Sequence, residues 1–163
     1  MKKQIRKIID EMKERADKSY VISEKELLES GEKSKERQQP KIVLLSCSDS
    51  RVIPEYIFKA RYGEIFVIRS AGNSLDINAL ASIEYAIKQL DVNVVIVLGH
   101  TECGAIKAAL RESFEGKYLP MLLSNIKENI NEEKEIRKAV EKNVKEIIKK
   151  IKHTFSETYV EVV

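Results

Sequence analysis

The sequence predicts a single α/β domain built on a mostly parallel sheet, and three observations carry that prediction. Apolar, β-branched runs alternate with stretches of helical periodicity, the order expected of successive β-α-β units. The run Val94-Val95-Ile96-Val97-Leu98 is continuous rather than alternating, as in a strand covered by helices on both faces. The length, 163 residues, suffices for one hydrophobic core and falls short of two.

In chain order, residues 1–30 read as helical, because Ile5, Ile8, Ile9 and Met12 recur at helix spacing and Glu24–Leu28 suggests a second short helix. Residues 30–39 are polar and are expected to form a loop. Pro40 ends any helix there, since the residue before a proline is pushed out of the helical region. A first strand is predicted over Lys41–Ser46. Pro54–Phe58 reads as a short helix with proline in its first turn, and Glu64–Arg69 as a second strand through Ile65-Phe66-Val67-Ile68. Across residues 76–90, Ile77, Leu80, Ala81, Ile83, Ala86, Ile87 and Leu90 form an apolar helical stripe. The third strand is expected over Val92–Leu98. Further helices are expected over Gly104–Arg111 and Asn131–Lys152, the latter with Ile136, Val140, Val144, Ile147, Ile148 and Ile151 on one face. Thr158–Val163 alternates weakly and reads as an edge strand, giving about four strands in all. The domain thus divides into an N-terminal helical arm (1–39), a central core (40–111) and C-terminal helices with an edge strand (112–163).

Composition narrows the partners. Charged residues make up 34% of the chain, yet the net charge is only +3 because Lys and Glu are interleaved. A nucleic-acid binder usually concentrates its basic residues, so none is expected as partner. No segment approaches the roughly 18 apolar residues of a membrane helix. The start, Met-Lys-Lys-Gln-Ile-Arg-Lys, carries charges where a secretory signal needs an apolar stretch. Two cysteines do not make a disulfide scaffold. The expected compartment is the cytoplasm.

Those two cysteines and one of the two histidines fall in two short motifs, Cys47-Ser-Asp-Ser-Arg51 and Gly99-His-Thr-Glu-Cys-Gly104. Each motif follows a predicted strand, and in parallel α/β sheets functional groups gather beyond the carboxyl ends of the strands. Two thiolates and an imidazole suit zinc. A structural zinc site closes with four protein ligands, whereas a three-ligand set leaves a position for chemistry. Cys47, His100 and Cys103 are therefore the candidate metal ligands. Gly99 lets the chain turn off its strand, and Cys103 at a helix start has its thiolate favoured by the helix dipole. Gly104 leaves a backbone N–H accessible to an anionic ligand. Asp49 and Arg51 can pair by a bidentate contact. A carboxylate held ionised there could orient a zinc-bound hydroxide, which zinc generates near neutral pH. Simpler readings compete: buried cysteines often act as small apolar side chains, and Asp49–Arg51 has a structural role as an ion pair. His153 reads as a solvated residue at a helix end, and Phe66 and Tyr85 fit a core as well as a pocket.

The two motifs closely resemble those of the β-class carbonic anhydrases, as do Gly63-Glu-Ile-Phe-Val-Ile-Arg-Ser-Ala-Gly-Asn73 and Ser82-Ile-Glu-Tyr-Ala86. The resemblance spans residues 38–111. It implies one Zn²⁺ per subunit on Cys47, His100 and Cys103, an Asp49–Arg51 catalytic dyad, and reversible hydration of CO2 to bicarbonate and a proton. It also implies a substrate pocket at a dimer interface, with Gln38, Phe66, Tyr85 and Gly104 near the substrate, and N-terminal helices packed on a partner subunit in a homodimer or homotetramer. The C-terminal part departs from the family pattern, with only Thr158-Tyr-Val-Glu-Val162 to stand for its usual strand and turn. The same resemblance leaves open hydrolysis of carbonyl sulfide or carbon disulfide and a non-catalytic zinc-binding relative. A cysteine phosphatase is disfavoured, because Arg51 lies four residues after Cys47 rather than six and Asp49 would repel phosphate.

Overall fold

The computed structural model describes residues 37–111, 114–156 and 158–162, together with positions 6–8, 10, 11, 14, 23, 25, 26 and 29. Among these, four strands form one sheet in the order β2-β1-β3-β4, every neighbouring pair parallel. They are β1 (Ile42–Cys47), β2 (Ile65–Ser70), β3 (Val94–Leu98) and β4 (Tyr159–Val162). The helices are α1 (Pro54–Ile57), α2 (Ile77–Leu90), α3 (Gly104–Ala109), α4 (Leu119–Ile130) and α5 (Ile136–Thr154). The α/β class and the edge strand are as expected from the sequence.

Both continuous apolar runs are buried at every residue, β1 as well as β3. Alternation across the pleat sends their side chains to two cores. Val43, Leu45, Val95 and Val97 face Ala79, Ile83 and Ala86 of α2 and Val144, Ile147 and Ile151 of α5. Ile42, Leu44, Ile96 and Leu98 face Val52, Phe58 and Ala60 on the other side. The adjacency of β1 and β3 fixes the site. Ser46 lies opposite Leu98, so Cys47 and the Gly99–Cys103 turn leave the sheet side by side.

Several boundaries differ from the sequence expectation. The first strand takes in Cys47 itself, and the third starts at Val94, two residues late. The helix expected from Asn131 begins at Ile136, because Asn131 adopts φ 51° and ends a preceding helix. That helix, α4, was not anticipated, although Pro120 at its start and Leu123, Ile126 and Ile130 on its buried face carry the signal. The helix after Cys103 is shorter than expected, stopping at Ala109. In the N-terminal arm, Ile5, Ile9, Met12, Glu24, Leu27 and Leu28 lie outside the described residues. Ile8 is helical and packs under the second core. Ser23 and Glu26 form a reciprocal capping box, Ser23 N–H donating to Glu26 Oε2 at 3.1 Å and Glu26 N–H to Ser23 Oγ at 3.2 Å. Among the described residues no helix is long and apolar enough to cross a membrane.

Between β2 and α2 the chain makes one tight 3₁₀ turn, Ala71–Asn73. Gly72 sits there at φ +64°, and a Cβ on it would lie 2.5 Å from Ile126 Cδ1 and 3.0 Å from Ala105 Cβ. Left-handed backbone and overpacking each disfavour a side chain. Gly72→Ala is expected to lower stability by about 2–5 kcal/mol, the sum of those two effects. Urea unfolding followed by circular dichroism reads it, and a loss within error of zero would contradict the account of this turn.

Candidate metal centre

Cys47, His100 and Cys103 come together, their ligand atoms all within 4.8 Å of one another. Each arrives by a different route: Cys47 as the last residue of β1, His100 on the turn leaving β3, Cys103 as N-cap of α3. Both thiols are buried, and their sulfurs are 3.9 Å apart. Two thiolates at about 2.3 Å from a tetrahedral zinc lie about 3.8 Å apart. The observed separation therefore fits zinc and is too long for a disulfide, whose sulfurs are bonded at about 2.0 Å.

His100 is oriented for the same task. Its Nδ1 lies 2.9 Å from the Thr101 carbonyl oxygen, which can only accept, so Nδ1 carries the proton. Nε2 is left buried without a hydrogen-bond partner. A buried, unpartnered lone pair beside two thiols is costly in the absence of something to bind it. The donor set thus fits a metal ion.

The sulfurs are not equivalent. Cys47 is lowered to about 4, through its hydrogen bond with Cys103 and those from the backbone N–H groups of Gly72 (3.3 Å) and Asp49 (3.4 Å). Cys103 is pushed well above the usual thiol range by sharing its hydrogen with Cys47 and by burial. Two sulfurs this close, with backbone N–H groups aimed at one of them, favour negative charge and so a cation beside them.

Asp49 and Arg51 pair as the spacing suggested. Arg51 Nε donates to Asp49 Oδ1 at 2.9 Å, Nη2 to Oδ2 at 2.7 Å, and the Arg51 backbone N–H to Oδ1 at 3.0 Å. These contacts hold the carboxyl well below the usual carboxylate range. Asp49 Oδ2 lies 4.0 Å from His100 Nε2, at the edge of the cluster. Arg51 Nη2 also donates to Glu102 O at 3.3 Å and so ties the two motifs together. A carboxyl whose pKa is lower folded than unfolded stabilises the fold above its ordinary pKa of about 3.9, and that contribution is lost as pH falls toward the folded value. Arg51→Ala should therefore lower stability at neutral pH, where the contribution is fully present, and shift acid unfolding to higher pH. An unchanged acid midpoint would count against the pair as a native-state constraint.

Three supports of the site were not anticipated from the sequence. Arg69 clamps the first motif loop from β2, donating from Nε to Cys47 O at 3.1 Å and from Nη2 to Asp49 O at 2.9 Å and Val52 O at 2.8 Å. Asn73 Nδ2 donates to Leu98 O and, at 3.4 Å, to Leu45 O, bridging β3 and β1 just before the ligands. Gly72 presents its N–H to Cys47. Only the Ala-Gly-Asn sequence itself, with its two residue types tolerant of left-handed backbone, hinted at the last two.

The expected substrate residues separate into two groups. Gly104 opens α3 beside Cys103 and is exposed, with no heavy atom within 4 Å of where its Cβ would be. Phe66 and Tyr85 meet each other, ring centroids 6.2 Å apart, but Phe66 is in register with Val43. That is four residues, about 13 Å of strand, short of Cys47. Gln38 is exposed and precedes β1, at the end of the strand opposite the metal ligands. Within one chain these three are not brought to the cluster.

A sequence model of the carbonic anhydrase family matches residues 42–161. Carbonic anhydrase 2 of Mycobacterium tuberculosis is 47% identical over 79 residues, which are 48% of this chain and 38% of that protein. A carbonic anhydrase of Synechococcus elongatus is 41% identical over 99 residues, 57% of this chain and 35% of that protein. The chain thus spans less than two-fifths of these relatives' length. Among solved structures, one of two tetrameric β-carbonic anhydrases of Sordaria macrospora superposes with a TM-score of 0.69 at 28% identity, covering 82% of this chain and 79% of that one. The β-carbonic anhydrase CafA of Aspergillus fumigatus gives 0.70 at 26% identity, covering 98% and 84%. The family match runs from the first strand to the last, through every element that builds the Cys-His-Cys cluster, and this chain belongs to the β class of the carbonic anhydrase family.

Proposed function

We propose that this chain is a zinc-dependent carbonic anhydrase, interconverting CO2 and bicarbonate, with Cys47, His100 and Cys103 as its metal ligands. The observation that carries this reading is the convergence of that donor set with a clamped carboxylate, Asp49, at 4.0 Å from His100 Nε2. Zinc bound there would supply Lewis acidity, making a nucleophile from water near neutral pH. Asp49, kept ionised by Arg51, accepts a hydrogen bond from the attacking water at Oδ2 and turns its lone pair toward the substrate carbon. Arg51 holds that carboxylate in one orientation through two parallel contacts. Gly104, first in α3, has a backbone N–H without an intrahelical acceptor and can donate it to a substrate oxygen.

A homodimer belongs to this reading. β2 is one of the two outer strands of the sheet and only partly buried, and Phe66, Tyr85 and Gln38 lie too far from their own metal ligands to line that pocket. A second copy meeting this edge would place them against the neighbouring site.

Stopped-flow CO2 hydration, with metal analysis on the same sample, tests the proposal. One zinc per chain and rapid hydration are expected. Dominant release of hydrogen sulfide from carbonyl sulfide or carbon disulfide would assign the scaffold to those substrates instead. Bound zinc with neither activity would make the chain a non-catalytic relative.

A further inference from the structure

A line of buried polar groups runs from the surface to the Cys47 sulfur, and no part of the reaction described above uses it. Lys150 Nζ, on α5, donates to Asn129 Oδ1 at 2.8 Å. Asn129 Nδ2, on α4, donates to Asn143 Oδ1 at 2.9 Å. Asn143 Nδ2, on α5, donates to Gly72 O at 3.0 Å. Gly72 N–H then donates to Cys47 Sγ at 3.3 Å. Asn129 and Asn143 are 7% and 1% exposed, so each amide left unpaired would carry a desolvation cost.

The direction of the line is fixed at both ends. An ammonium can only donate and a carbonyl can only accept. Lys150 therefore sets Asn129 oxygen-outward, Asn129 sets Asn143, and the Gly72 carbonyl demands the amide nitrogen it receives. No amide in the series can flip without placing two donors or two acceptors face to face. Gly72 is also confined by shape, since Ile126 and Ala105 close the space where a side chain would be. Its carbonyl is held by Asn143 and its N–H meets the sulfur, with little room between Ile126 and Ala105 for this backbone to shift.

We infer that Asn143, supported by Asn129 and Lys150, is a positioning residue for the metal centre, aiming the Gly72 N–H at the Cys47 thiolate and thereby setting that ligand's donor strength. The inference rests on the zinc reading proposed above. An N–H directed at a coordinating sulfur withdraws electron density from it, so outer partners of this kind tune both metal affinity and electronic structure. The surface lysine is part of the device, because its cation polarises the first amide and also meets Glu128 at 3.5 Å.

The test substitutes Co²⁺ for zinc in the full chain and follows the sulfur-to-cobalt charge-transfer absorption, alongside metal affinity by chelator competition. Asn143→Leu should move the absorption to lower energy, as the thiolate becomes more electron-rich, and weaken affinity about 10-fold, the low end for outer partners of a metal ligand. Lys150→Met, at a part-exposed position that does not threaten folding, should shift the absorption in the same direction by less. It decides the question if Asn143→Leu does not fold. Ile147→Ala, one turn along α5 and packed only in the sheet core, should lose thermal stability without moving the absorption. A band unmoved in the folded Asn143 and Lys150 variants, or moved equally by Ile147→Ala, would overturn the inference while leaving the zinc reading intact. A wild-type chain that binds no Co²⁺ would overturn both.

Discussion

Replacing Cys47 by serine is expected to remove metal and activity together while leaving the fold in place. The residue closes a fully buried strand, and serine is smaller and accepts hydrogen bonds, so the N–H groups of Gly72 and Asp49 keep a partner. What is lost is the thiolate. As a zinc ligand Cys47 would bind as a thiolate, whereas a serine hydroxyl stays protonated and is a poor zinc ligand. With one thiolate and one imidazole remaining, affinity should fall by more than the roughly 10–100-fold that outer-partner changes cost. Zinc content of the purified variant should approach zero and CO2 hydration the uncatalysed background, with an unchanged far-ultraviolet circular dichroism spectrum. Full zinc occupancy in Cys47→Ser would mean that the ligand set has been misassigned.

The second large effect concerns Asp49 and Arg51. Asp49→Asn should retain zinc and the fold but lower kcat/KM for CO2 by about 10²–10³-fold, the scale of removing a positioned proton acceptor or electrostatic partner. The amide is nearly the same shape, but it carries no charge and can turn a donor where an acceptor is required. Arg51→Ala should lose a similar factor, because an unclamped carboxylate no longer holds one orientation. Lysine should rescue little, since an ammonium cannot reproduce two parallel contacts. The decisive measurement is the double variant. If Arg51 acts through Asp49, the pair loses no more than the worse single variant. Losses that multiply would show independent roles and defeat the dyad.

How far the sequence could be read depended on whether a feature is local. The buried strands were legible because Val94–Leu98 leaves no polar face, and a strand of that kind needs helices on both sides. The Cys-His-Cys cluster was legible because so few thiols and imidazoles are present and each lies at or just beyond the carboxyl end of a strand. Helix α4 is harder to read from the sequence because Leu123, Ile126 and Ile130 form only a short stripe and its N-cap, Tyr118, makes no side-chain capping bond. The supports of the site were illegible for a better reason. Asn129 and Asn143 look like ordinary polar positions on amphipathic helices, and only the packing of α4 against α5 removes them from water. Arg69 reads as one charge ending an apolar strand, while its three carbonyl partners depend on how a loop some twenty residues earlier curls back.

The Asn129–Asn143 contact also has a bearing on the order of events during synthesis. Every candidate metal ligand and both residues of the Asp-Arg pair emerge from the ribosome by residue 103, yet the helix that braces Gly72 from behind, α5, starts at Ile136 and contributes Val144, Ile147 and Ile151 to the core under β1 and β3. A nascent chain thus displays two thiols and an imidazole before it owns the scaffold that gathers them. Under the proposed zinc reading, tight capture of the metal waits on the docking of the helices that follow the ligands, α4 and α5.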